Sequence, residues 1–162
     1  MPLKIVRRPH VEDAHLATIE PARLRQIYAC RGVAAPQELS RSAQGLLAPD
    51  GFKGLSDALA LLVNALQQQQ RILIVGDFDA DGATSSALMV LALRAMGARQ
   101  VDYLVPNRFE YGYGLSPEIA ELAAQRGTEL LITVDNGISS ISGVAAAQQA
   151  GMRVLVTDHH LP

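Results

Sequence analysis

Cysteine occurs once in the 162 residues, at position 30, so no internal disulfide can form and the chain suits a reducing cytosol. A buried or half-buried helix position accounts for Cys30 better than a catalytic thiol does. Charge of one sign is not in excess: 14 Lys and Arg stand against 16 Asp and Glu, a formal net charge of −2. Composition therefore makes no electrostatic case for nucleic acid, and a polyanion would have to be held by metal ions and a local basic patch. No apolar run is long and unbroken enough to span a bilayer, and the N-terminus lacks the apolar core of a signal peptide. Nucleotide-binding and serine-nucleophile signatures are missing too. There is no Gly-x-x-x-x-Gly-Lys loop and no serine elbow, and Gly76 and Gly82 make no dinucleotide fingerprint.

What is present is a core. With 49% hydrophobic residues, the chain is long enough for one well-packed domain. The first 55 residues are the less regular part and read as an N-terminal extension packed on a main domain of residues 56–162. Pro21 to Tyr28 predicts a short helix with proline in its first turn and Gly32 after it; Pro36 to Arg41 predicts another helical piece, and Pro49-Asp50-Gly51 a turn. From Ser56 the pattern sharpens. Ser56 can cap a helix with apolar positions Leu59, Leu62, Val63 and Leu66, ended by a solvated glutamine run, Gln67 to Gln70. Strands are predicted at 72–75, 101–105, 130–134 and 154–157. Helices are predicted from about Ala83 to Met96, from Ser116-Pro117 to near Gly127, and from about Ser142 to Ala150. Strands alternating with helices imply an α/β fold, a doubly wound parallel sheet.

Acids and imidazoles collect where these apolar runs end. Asp77, Asp79 and Asp81 follow Ile72–Val75, Asp135 follows Leu130–Val134, and Asp158-His159-His160 follows Val154–Thr157. The C-terminal ends of parallel strands form the ligand-binding edge of such a sheet. Carboxylates gathered there repel one another unless protons or cations compensate, and a pair of divalent ions is the simplest compensation. One aspartate, Asp81, is accounted for as a helix cap, but capping leaves three acids after a buried strand unexplained. Asp135 before Asn136-Gly137 could be a mere turn former; its weight comes from sharing the edge with the first cluster. Asp158 can orient an imidazole or bind metal itself. Oxygen donors with histidine suit Mn2+ or Mg2+ better than a structural zinc site. On the loop after the strand at 101–105, Arg108 suits phosphate. Tyr111 and Tyr113 could stack on bases, or could merely pack a glycine-rich loop.

Taken together, Gly76-Asp77-Phe78-Asp79-Ala80-Asp81-Gly82, Val134-Asp135-Asn136-Gly137 and Asp158-His159-His160 resemble the first three motifs of the DHH phosphoesterase superfamily. Pro106-Asn107-Arg108-Phe109 and Tyr111 to Ser116 resemble the insert of its RecJ-type exonuclease branch, and the likeness runs from Ile72 to Pro162. The resemblance implies a metal-dependent phosphodiesterase, a 5′-to-3′ single-stranded DNA exonuclease in recombination and repair, acting by two-metal activation of water. It implies that Asp79 and Asp135 hold one cation with Asp77 near it, and that Asp81, Asp135 and His159 hold the second. His160 would face the scissile phosphate, and Asn107 and Arg108 would touch the nucleic-acid backbone. Expected partners are single-stranded DNA, a single-strand DNA-binding protein and a RecQ-type helicase, in the cytoplasm and with no membrane. The family's fourth motif is not found, and the chain stops just after the third cluster. The expectation is a fragment with weak or no nuclease activity alone. The rival readings are a phosphodiesterase of short oligonucleotides or cyclic dinucleotides, a non-catalytic scaffold of the same fold, and a metal-free nucleotide-binding module.

Overall fold

The structure is a computed structural model and describes residue 6 and residues 9–161. Pro162, the last residue of the family likeness, and residues 1–5, 7 and 8 of the N-terminal stretch lie outside the described residues. The chain divides into two compact units, Met1–Phe52 and Lys53–Pro162.

Among its described residues the first unit has one α-helix, α1 (Ala22–Cys30), with Pro21 at its N-cap rather than inside its first turn. Pro36–Leu39, Ala43–Gly45 and Pro49–Gly51 are single 3-10 turns, two of them opened by proline, whose fixed φ suits that place.

The second unit is the doubly wound domain. Its elements are α2 (Leu55–Gln67), β1 (Ile72–Gly76), α3 (Ala80–Ala95), β2 (Val101–Leu104), α4 (Arg108–Tyr111), α5 (Pro117–Gln125), β3 (Leu130–Val134), α6 (Ile141–Gln149) and β4 (Arg153–Thr157). All strands are parallel in the order β2-β1-β3-β4. Period-2 alternation splits β1 and β3 between two cores. Ile72, Ile74, Leu130 and Ile132 pack with α2 and α3, and Leu73, Val75 and Leu131 pack with α5 and α6. The chain steps from β1 outward to β2 over one face, then back past β1 to β3 and on to β4 over the other. A reversal of direction with right-handed crossovers requires that change of face. The point of reversal lies between the ends of β1 and β3.

Several boundaries and faces differ from the sequence expectation. Gly54, not Ser56, is the N-cap of α2, and the helix buries Leu61 and Ala65 with Leu62 and Leu66 beside them. Leu59 and Val63 are exposed, because the face is set by what α2 packs against and not by its own apolar count. The glutamine run is not merely solvated. Gln69 adopts a left-handed φ of 52° and donates from Nε2 to the carbonyls of Leu66 and Gly97 at 2.8 and 3.1 Å. Its Oε1 accepts from the N–H of Arg99, so it joins the turn before β1 to the turn before β2. By contrast, Ser116 caps α5 as expected, accepting from Ile119, and Pro117 takes the first helical position.

Candidate metal centre

The three polar clusters meet at the reversal point. Asp77 directly follows β1 and is buried. The turn after it is tight: a Cβ at Gly82 would run into the carbonyl of Asp77, and one at Gly76 into the hydroxyl of Ser86. Glycine at both places lets the first turn of α3 close onto the end of β1. The helix then starts at Ala80, capped by Asp79, whose Oδ1 accepts from the N–H groups of Asp81 and Gly82 at 3.2 and 3.1 Å. Asp79, not Asp81, is therefore the cap.

Asp135 follows β3 in the left-handed region (φ 63°) and is buried. Its Oδ1 lies 2.8 Å from His159 Nε2, while Oδ2 is buried with no hydrogen-bond partner among the described residues. Asn136 is buried as well, and its Nδ2 donates to the carbonyls of Val75 and Val134 at 3.0 and 2.9 Å. After β4, Asp158 Oδ2 accepts from the N–H of Ile138, and Oδ1 accepts from the backbone of His160 and meets its Nδ1 at 2.7 Å. The carboxylate thus orients the imidazole of His160.

Two groups of donor atoms result, each within 4.8 Å of one another: Asp77, Asp79 and Asp135, and Asp135, His159 and His160. Asp135 belongs to both. Asp81 belongs to neither, which differs from the expectation that it completes the second group. Once the helix begins at Ala80, successive side chains rotate about 100° instead of alternating, so Asp81 does not follow the direction of Asp79. Its carboxylate makes no hydrogen bond among the described residues. Asn107, expected to touch the nucleic-acid backbone, is exposed and caps α4, its Oδ1 accepting from Phe109 at 3.1 Å.

Arg108 donates from one guanidinium nitrogen to both oxygens of Asp77 at 2.9 Å. Tyr113 ties the groups together. Its hydroxyl lies 3.3 Å from His160 Nδ1 and 3.4 Å from the carbonyl of Asp135, and Arg108 sits 5.8 Å from its ring centre. Tyr111 is half-buried and packs on the α5–α6 core, so of the two tyrosines only Tyr113 faces the site. Asp77, Asp79, Arg108, Tyr113, Asp158 and His160 open on a cleft of about 460 Å3, lined also by Ile138 and Ser139. A groove of similar volume between α3 and β2, lined by Ala87, Val90, Leu91 and Tyr103, contains no carboxylate or imidazole.

The electrostatics follow from these contacts. The N–H of Gly82, ahead of that of Asp81, holds the Asp79 carboxyl below the usual carboxylate range despite some desolvation. Asp158 is pushed up by burial, but the N–H groups of Ile138 and His160 outweigh this and leave it below the ordinary value. Asp158 in turn raises His160, and Asp77 raises Arg108. Burial, then the nearby carboxylates, raise the Tyr113 hydroxyl. An orphaned buried carboxylate oxygen inside a ring of oxygen and imidazole donors suits a hard or borderline divalent cation.

The chain belongs to the DHH family, whose N-terminal domain matches residues 71–162. Within that family it is similar to the single-stranded-DNA-specific exonuclease RecJ of Escherichia coli K12, with 53% identity over 99% of this chain and 28% of that protein. It is 59% identical to RecJ of Dickeya dadantii over 97% of this chain and 27% of that protein. Among solved structures it is similar to a manganese-bound exonuclease RecJ, with a TM-score of 0.65, 42% identity, and coverage of 72% of this chain and 30% of that one. The chain thus spans just over a quarter of the length of these two relatives.

Proposed function

We propose that this protein is a metal-dependent phosphodiesterase that digests single-stranded DNA from the 5′ end, in recombination and repair, within the reducing cytoplasm that its single cysteine suits. The observation that carries the reading is the sharing of Asp135 between two donor groups, with one of its oxygens buried and unpartnered. Manganese in a RecJ structure of 42% identity supports Mn2+ as one occupant, and Mg2+ has the same preference for oxygen donors. Asp77, Asp79 and Asp135 would hold one cation, and Asp135, His159 and His160 the other.

When bound, the cations supply positive charge for the phosphoryl oxygens and acidify water for attack on phosphorus. The chain's own residues do the rest. Arg108 offers a planar fork for a phosphate, and on engaging one it exchanges the Asp77 carboxylate for the ligand. His160 is held by Asp158 through Nδ1, so Nε2 is the nitrogen left to meet a cation, a phosphoryl oxygen or a leaving group. Tyr113 approaches the same Nδ1 with its hydroxyl and supports Arg108 through its ring face.

Calorimetric titration tests the reading. Mn2+ should bind the native chain, and Asp79→Ala combined with Asp135→Ala should abolish binding. With Mn2+, the full-length protein should shorten 5′-phosphorylated single-stranded DNA stepwise from that end and spare duplex. A native chain that takes up no Mn2+, or a protein that cuts only internally, defeats it.

A further inference from the structure

Three carboxylates, Asp77, Asp79 and Asp135, are held close together by loops that leave different strands. Their mutual repulsion acts to spread the ends of β1 and β3. The ladder between these strands runs out at the Gly76–Val134 pair, immediately before the acids begin. Something past the last rung must keep the two loops together.

Asn136 occupies that place. It is 1% exposed, which sets it apart from an ordinary turn-forming asparagine. Both of its hydrogen-bond acceptors are backbone carbonyls, Val75 on β1 and Val134 on β3, so the NH2 end must face them, as only it can donate. One side chain thereby bridges the strand that leads into Asp77 and the strand that leads into Asp135. The arrangement leaves Asn136 Oδ1 buried and unpartnered among the described residues. The left-handed turn at Asp135 is what lets the next residue fold back between the strands.

We infer that Asn136 is a positioning residue: its side-chain amide clamps the carboxyl ends of β1 and β3 and holds Asp77 and Asp135 at a separation that cations can share. The inference deepens the metal reading above and rests on it for its purpose, while the clamp itself is measurable without metal.

Nuclear magnetic resonance on the chain, with Asn136→Ala and the isosteric Asn136→Asp, tests it. In the metal-free native chain, both Nδ2 protons of Asn136 should exchange with water far more slowly than those of exposed Asn107. Equal exchange overturns the clamp even if neither variant folds. In the variants, the amide signals of Asp77 and Phe78, on the far loop, should move while those of Leu73 and Leu131 in mid-strand stay. No movement at the far loop, or equal movement in mid-strand, overturns it. Mn2+ affinity of the folded variants should fall by about 10- to 100-fold, the usual loss when a residue that orients a ligand is removed. Unchanged affinity overturns the positioning role. A native chain that binds no Mn2+ defeats the metal reading instead, and the exchange and shift measurements still decide the clamp.

Discussion

Asp79 would serve two purposes with one carboxylate in the proposed site. Oδ1 is occupied by the first turn of α3, and Oδ2 would be the oxygen offered to a cation. The two can be separated by substitution. Asp79→Asn keeps an oxygen for the cap and loses the negative charge, so Mn2+ binding should weaken with little change in denaturant midpoint. Asp79→Ala loses both, and chemical denaturation should show an additional cost of about 1 kcal/mol. His160 gives a second prediction at this scale. Its pKa is raised by Asp158, so the pair stabilises the fold at pH below the unfolded histidine value of about 6.5. That contribution is lost as pH rises through the higher folded value. A metal-free titration of the His160 ring signal should give a midpoint above that of an unperturbed histidine. Asp158→Asn should lower it, and an unmoved midpoint would contradict the contact.

At the scale of elements, the closeness of α3 to β1 controls the first cluster. Gly76 has no room for a methyl because Ser86 Oγ already fills the space. Gly76→Ala should therefore destabilise by about 1–3 kcal/mol, the usual cost of overpacking. Adding Ser86→Ala removes the nearest obstruction and should recover part of that loss in urea denaturation. Two additive penalties would mean the contact is not the cause. The elements themselves were legible from the sequence wherever burial enforces a period. All four strands fall within one residue of their expected ends; β1, β3 and β4 do so as short β-branched or leucine-rich runs, and β2, Val-Asp-Tyr-Leu, is set between Gly97 and Pro106. The faces of α2 were not legible. Leu59 and Leu61 are equally apolar, and only the position of the sheet decides that Leu61 is the buried one.

At the scale of the whole molecule, the sheet order makes the site. With β1 and β3 adjacent, the acids that end them face each other although 58 residues separate Asp77 from Asp135 in the chain. Cations bound there join three loops and should stabilise the fold by mass action. Mn2+ should raise the melting temperature of the native chain and leave that of Asp135→Asn almost unchanged, as read by scanning calorimetry. Ile132→Ala, in the fully buried centre of β3, should cost about 2–5 kcal/mol. That loss should be the same with and without Mn2+, since Ile132 packs in the core shared with α2 and α3 and belongs to neither donor group.

The alternation of strands and helices, and the placing of acids at strand ends, were determined by the sequence alone, because hydrophobic period and strand termini are local properties. So was the membership of Asp77, Asp79, Asp135, His159 and His160 in one polar edge. What only the tertiary structure decided is which of these side chains converge. Asp81 stands outside both donor groups, where the helix starts three residues earlier than the sequence implies, and Asn107 caps α4. Asn136 read as a turn residue, and its clamp between β1 and β3 emerged only once their adjacency was known. Side-chain direction and cross-strand bonding depend on neighbours remote in the chain, and no local pattern carries that information.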